Sequence, residues 1–183
     1  MTPSARGAIF RFTFPESDSS NVVIDAFDKG SSIKIIPSEN KIIGYTTRNS
    51  GGVPDNFKNY FVIIFDEPFT QYTGVENGKI VAGNTESHVD HAGAIVSFKT
   101  KRGHQIIAKV ASSFISAEQA EQNLLEVKDK TFEDVANEGR DKWNEVLGKI
   151  EIEDDREGLK RTFYSCLYRS VLFPRDLSEI DAQ

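Results

Sequence analysis

The sequence predicts a mainly β fold, an antiparallel β-sandwich followed by two or three α-helices. Three observations carry this. Between residues 7 and 115, apolar side chains recur with a period of two, in short runs broken by turn residues. No helical pattern interrupts those runs, which separates a sandwich from an alternating α/β sheet. At Ser116 the period lengthens to that of a helix.

In AIFRFTF, Phe10, Phe12 and Phe14 share one face while Arg11 and Thr13 point away, the alternation of a strand with one buried side. NVVIDAF (21–27), SIKIIP (32–37) and KIIGYTT (41–47) are further strands, separated by the DKGS and SEN turns. NYFVIIF (59–65) is apolar on both faces, as a central strand covered on two sides is. PFTQYT, ENGK and KIVAG make a hairpin around Asn77-Gly78, whose residues tolerate the left-handed angles of a tight turn. GAIVSFKT (93–100), the turn KRG and HQIIAKVASSF (104–114) read as a second hairpin.

The helices follow. Ser116 and Gln119 open the first as a capping box, with Ala117, Ala120, Leu124 and Val127 on one face. Thr131 starts the second, whose stripe runs through Phe132, Val135, Ala136, Gly139, Trp143, Val146 and Leu147 to a Gly148 cap. KIEIED then alternates like a short strand, with Ile150 and Ile152 on one side. Asp154 or Asp155 caps the third helix and Pro174 ends it. Leu159, Phe163, Cys166, Leu167, Ser170 and Val171 give that helix a stripe that needs something to lie against. The expected division is a sandwich over 1–115, linker helices over 116–148, and a short strand with a last helix over 149–183.

With 38% hydrophobic residues and 13 Phe, the 183-residue chain can build a real core in one domain with an appendage. A formal charge of −6 without a basic run argues against nucleic acid and anionic membranes as partners. No apolar stretch reaches the roughly 20 residues of a membrane span, and TPSARGAIF after Met1 lacks the apolar centre of a signal peptide. Cys166 is the sole cysteine, so no disulfide closes within the chain and a thiolate metal site is not expected. Its place on the stripe reads as a small core hydrophobe.

Candidate chemistry is sparse. His88, Asp90 and His91 are metal-ligand types, but a turn between strands need not make them converge, and a polar loop is the plainer reading. His104 stands alone at a strand start. The loop RNSGGVPDN (48–56) offers Arg48, Asn49 and Asn56 as substrate contacts, with Gly51 and Gly52 allowing unusual angles and Pro54 stiffening the exit. An ordinary connection is the alternative. Asp66-Glu67 and Asp154-Asp155 are adjacent carboxylates, and sequence neighbours rarely face one another across a sugar as a glycosidase pair must. Trp143, on its stripe, reads as core rather than sugar platform. Dinucleotide, P-loop, zincin and esterase motifs are absent.

Three ordered C-terminal motifs resemble glycoside hydrolase family 92. Ser116, Glu118, Gln119, Ala120, Asn123 and Leu124 fill its Ser-x-Glu-Gln-Ala-x-x-Asn-Leu helix start. Trp143, Asn144, Leu147 and Ile150 fill a Trp-Asn-x-x-Leu-x-x-Ile segment, and Phe163, Tyr164, Leu167, Tyr168 and Pro174 fill a Phe-Tyr-x-x-Leu-Tyr helix ending at proline. GAIFRFTFPES and GGVP…NFKNYFVIIFDEPF resemble the family's sandwich.

The resemblance implies an N-terminal, supersandwich-like domain joined by helices to an (α/α)6 barrel, in a calcium-dependent exo-α-mannosidase that inverts the anomeric centre. It implies that the acid, base and Ca²⁺ ligands lie in the barrel, beyond Gln183, and that the sandwich begins upstream of Met1. The chain is then expected to be an inactive internal piece of an α-1,2-mannosidase, holding no catalytic residue and no metal. Its partners would be the missing barrel and, for the parent, mannose-containing glycans. Arg175, on the exit towards the barrel, joins Arg48, Asn49 and Asn56 as a substrate candidate. The resemblance also implies export to the periplasm or cell surface. A free-standing carbohydrate-binding or structural sandwich is the alternative. The last helix, deprived of its barrel, is expected to self-associate or fold back on the sandwich.

Overall fold

The structure, a computed structural model, describes residues 1–173 and 176–179. Eleven strands and three helices are present among them: β1 (Thr2–Pro3), β2 (Gly7–Phe14), β3 (Ser17–Asp25), β4 (Ser31–Ile36), β5 (Lys41–Thr46), β6 (Asn59–Phe65), β7 (Gln71–Glu76), β8 (Lys79–Val81), β9 (Glu86–Val89), β10 (Ala92–Thr100), β11 (His104–Ser113), α1 (Ala117–Leu124), α2 (Phe132–Leu147) and α3 (Glu157–Ser170). The strands form two antiparallel sheets, one ordered β1-β2-β11-β6-β5-β4-β9 and the other β3-β10-β7-β8.

Alternation decides which residues meet between the sheets. Ile33, Ile35, Ile42, Phe65 and Ile106 of the larger sheet face Ile24, Ala94, Val96 and Phe98 of the smaller, with Phe10, Phe12 and Phe14 packed alongside. Phe98 is the largest fully buried side chain and lies beside the Phe65 and Phe69 rings. The strand β6 is central and covered on both sides, as its doubly apolar sequence requires. Its outer face contributes Val62 to a second core, where Ile9 and Ala111 meet Ala120, Leu124, Val127 and Val135 from the helical segment. The larger sheet is thus a middle layer, with the smaller sheet on one face and α1 and α2 on the other.

Local chemistry accounts for the boundaries. Asn77 and Gly78, at φ 50° and 78°, turn β7 into β8. Ser116 Oγ accepts from Gln119 N at 3.1 Å and starts α1, while the reciprocal capping box sits instead on α2, between Thr131 and Asp134. Gly148 is the residue that caps α2.

Several expectations are corrected. The strands β10 and β11 are not a hairpin: β10 pairs with β3 and β7, β11 with β2 and β6. The KRG turn instead carries the chain across the sandwich, held by Gly103 N donating to Phe14 O at 2.9 Å. Period two and a turn signal are shared by both connections, and only the partner strands tell them apart. KIEIED makes no strand, since residues 151–154 find no ladder partner among the described residues. The third helix is capped by neither Asp154 nor Asp155. Its N-cap is Arg156, without a side-chain cap bond, and Asp154 Oδ1 accepts the Arg156 N–H at 2.8 Å. Cys166 is exposed rather than core, because α3 buries no residue. Trp143 is 38% exposed and packs at a tilt against Tyr168, with ring centroids 4.6 Å apart. His104 is not alone, its Nε2 lying 2.7 Å from Glu67 Oε1. The short strands β1 and β9 escaped the sequence reading. Pro174 lies outside the described residues.

Candidate functional site

One end of the sandwich collects most of the polar candidates. There β3, β5, β7, β9 and β11 finish and β2, β4, β6, β8 and β10 begin, as their registers require. The connections at this end are 4–6, 26–30, 47–58, 77–78, 90–91 and the exit at 114–116. Segment 176–179 also returns to this end.

The 26–30 connection holds two non-glycine residues in the left-handed region, Phe27 at φ 63° and Lys29 at φ 75°. Such backbone persists only where surrounding bonds over-determine it. Here Asp25 Oδ1 accepts from Phe27 N at 2.8 Å, Ser31 Oγ donates to Phe27 O at 2.8 Å, and Thr47 Oγ1 donates to Gly30 O at 2.9 Å. The result presents the Phe27 ring, 54% exposed, at the loop tip. Asp25 also meets His91 Nε2 at 2.7 Å. Partial burial opposes ionisation of Asp25, but the Phe27 N–H and the His91 ring outweigh it and hold the carboxyl below its ordinary range.

The 48–56 loop places the three candidates differently. Arg48 Nη1 is paired with Asp28 Oδ1, so its charge is already partnered. Asn49 shapes the turn: Nδ2 donates to Thr47 O at 2.9 Å and Oδ1 accepts from Gly51 N at 2.7 Å. Gly51 and Gly52 take φ 103° and 76°, conformations that need glycine. Asn56 is exposed. At the loop's exit, Asn59 Oδ1 is buried without a hydrogen-bond partner among the described residues, and Phe57 packs at a tilt on Phe114, with ring centroids 5.6 Å apart. Arg175 lies outside the described residues.

The metal-type triplet does not converge. His88 lies on β9, where its Nδ1 is 2.8 Å from Tyr45 Oη, and His91 turns to Asp25. Lys58 Nζ stands over the Tyr45 ring, 4.2 Å from its centroid. Among the described residues no three His, Cys, Asp or Glu side chains gather as a metal site. The adjacent carboxylates are also engaged: Asp66 Oδ1 accepts from Ile107 N at 2.9 Å, Glu67 meets His104, and Asp154 holds Arg156.

Sequence reasoning passed over the joint between the sandwich and the helical segment. Arg6 Nη1 donates to Glu126 Oε1 at 2.9 Å, while Glu126 Oε2 accepts from Ser4 Oγ at 2.7 Å and Arg6 N at 3.0 Å. Burial disfavours the Glu126 anion, but these donors and the Arg6 charge overcome it and depress its pKa. An arginine in a turn and a glutamate 120 residues later carry no local signal of such a pairing.

Comparison with known proteins fixes what this architecture is similar to. A family model described as the glycosyl hydrolase family 92 N-terminal domain matches residues 1–113, and one described as the catalytic domain of that family matches residues 119–183. Among solved structures, a family GH92 inverting mannosidase from Bacteroides thetaiotaomicron VPI-5482 is similar at TM-score 0.93 and 41% identity, over 97% of this chain and 24% of its own. A family GH92 α-mannosidase from Bacteroides thetaiotaomicron is similar at TM-score 0.89 and 30% identity, over 99% of this chain and 26% of its own. The latter in complex with mannoimidazole gives TM-score 0.86 at 28% identity, over 99% and 27%. The chain thus spans about a quarter of the length of these structures. A comparison with curated proteins returned no match.

Proposed function

The chain belongs to glycosyl hydrolase family 92, and from that premise we propose that it serves as the non-catalytic N-terminal sandwich and joint of a longer exo-acting α-mannosidase. The reaction we assign to the whole enzyme is hydrolysis of terminal α-mannosides, α-1,2 linkages among them, with inversion. The observation that carries the reading is α3. It falls within the catalytic-domain match, yet it buries no residue, and Leu159, Cys166, Tyr168 and Val171 are all exposed. A helix with this stripe is built to be covered by further helices. A free-standing sugar-binding sandwich is the weaker reading, since Phe10, Phe12, Phe14, Phe61, Phe65 and Phe98 are taken up by the core.

The calcium that family resemblance implies finds no fitting ligand set among the described residues, where the loop-end carboxylates Asp25 and Asp28 are held by His91 and Arg48. In the proposed enzyme it belongs to the barrel. The substrate candidates Arg48, Asn49 and Asn56 then act, if the loop end borders the cleft, by shaping its wall and not by proton transfer. The test is direct. The 183-residue chain should release no mannose from α-mannosides, with or without added calcium; calcium-dependent release above a protein-free control overturns the reading.

The same helix predicts how the isolated chain behaves. It leans on α2 through the tilted Trp143–Tyr168 ring contact, and on the segment after α2 through Tyr164 Oη donating to Ile150 O at 3.2 Å. Exposed apolar faces of this kind drive association. Sedimentation should show the intact chain associating at micromolar concentration and a chain ending at Asp155 remaining monomeric. A monomeric intact chain under the same conditions contradicts this.

A further inference from the structure

Beyond the loops, a polar network, alongside the Lys41–Glu121, Arg11–Glu133 and Lys109 contacts, crosses between the two parts that the family models divide. Arg6 lies within the N-terminal match, and Asn123, Glu126, Ser178 and Glu179 lie within the catalytic-domain match. Arg6 uses one nitrogen on Glu126 of the segment after α1 and another, Nε, on Ser178 O at 2.8 Å. Glu179 completes the arrangement: Oε1 accepts from Phe114 N at 2.9 Å and Oε2 accepts from Asn123 Nδ2 at 2.8 Å. Asn123 is only 4% exposed, donates also to Ser112 O at 2.8 Å, and accepts from Gln119 Nε2 at 3.1 Å. Both amide hydrogens and the amide oxygen are thereby occupied.

The location explains why a carboxylate is suited here. The ladder between β11 and β6 stops at Ser113 opposite Tyr60, so the next amide, Phe114 N–H, has no strand acceptor. Phe114 is exposed at this strand end, where its amide would otherwise exchange freely with water, and a protein acceptor fixes it in place. Glu179 supplies the missing acceptor from 65 residues away. Burial disfavours its charge, but hydrogen bonds from Ser113, Phe114 and Asn123, with the Arg6 charge behind them, hold it ionised.

We infer that Arg6 and Glu179 are positioning residues of an interdomain latch, pinning the segment after α3 onto the loop end of the sandwich and so fixing the attitude of the first catalytic-domain helix. The latch closes a path that leaves the sandwich at Phe114, runs through α1, α2 and α3, and returns to the same amide. It rests on the family matches and the contacts, not on the proposed activity, and its test reads hydrogen exchange instead of hydrolysis.

In the 183-residue chain, Glu179→Ala should speed exchange of the Phe114 amide at least tenfold and accelerate α3, while Ile9 and Val62 in the core keep wild-type rates. Arg6→Ala should accelerate α3 in the same way. Glu179→Gln retains one acceptor oxygen and should lie between wild type and Glu179→Ala. The emission of Trp143, the only tryptophan, should shift in Glu179→Ala as its contact with Tyr168 loosens. Wild-type exchange at Phe114 and across α3 in Glu179→Ala overturns the inference. So does uniform acceleration that includes Ile9 and Val62, which would mark a general loss of stability.

Discussion

Deleting residues 1–115 from a full-length enzyme of this family that contains this chain is expected to abolish turnover. The reason lies in the second core. Leu124, Val127 and Val135 belong to the catalytic-domain match, yet they are buried against Ile9, Val62 and Ala111 of the sandwich. Each such side chain is worth about 1.5–3 kcal/mol when buried, and deletion returns all three to water. Arg6 is removed with the sandwich, which leaves Glu126 without its guanidinium and segment 176–179 without its anchor. The first helices of the catalytic domain then have no surface to pack on. Mannose release by the truncated enzyme, measured beside the intact one at equal concentration, decides the matter. Near-normal turnover contradicts the proposed joint.

Phe98→Ala is expected to cost about 3–5 kcal/mol of stability. Phe98 is 1% exposed and holds the two sheets together through ring contacts with Phe65 at 5.5 Å and Phe69 at 5.8 Å. Its removal leaves a cavity between layers that strands cannot readily close, because each is fixed by its ladder. A domain has only about 5–15 kcal/mol in hand, so the variant should unfold at much lower denaturant with an unchanged slope. A loss below about 1 kcal/mol would mean that the sheets close over the gap.

The loop end was partly legible. Gly51, Gly52 and Pro54 announced an irregular connection, and the structure places it at the end where the chain leaves the sandwich. The roles of its polar residues were not legible. Arg48 is engaged by Asp28, a partnership that depends on where the 26–30 loop lies, and Asn49 is taken up by the backbone of Thr47 and Gly51 in its own turn. Phe27 in a left-handed conformation has no sequence signature, since its angle is imposed by Asp25 and Ser31. Exposure was misjudged for Cys166 and Trp143 because helical spacing reports a stripe without reporting what covers it.

The sequence by itself determined most of the longer strands, the three helices and the family of this protein, though not the short strands β1 and β9, the absence of a strand in KIEIED or the cap of α3. Period-two runs gave strands, capping residues gave helix starts, and the ordered Ser116, Trp143 and Phe163 motifs gave the relationship that the family models bear out. These signals are local, so a reader of adjacent residues can find them. Only the tertiary structure decided that β10 and β11 separate into different sheets, that the helices form a third layer over Ile9 and Val62, and that Glu179 closes the chain on Phe114. Each depends on groups brought together across 60 or more residues or on the choice of partner strand, and the free energy of such contacts is written in no single stretch of the chain.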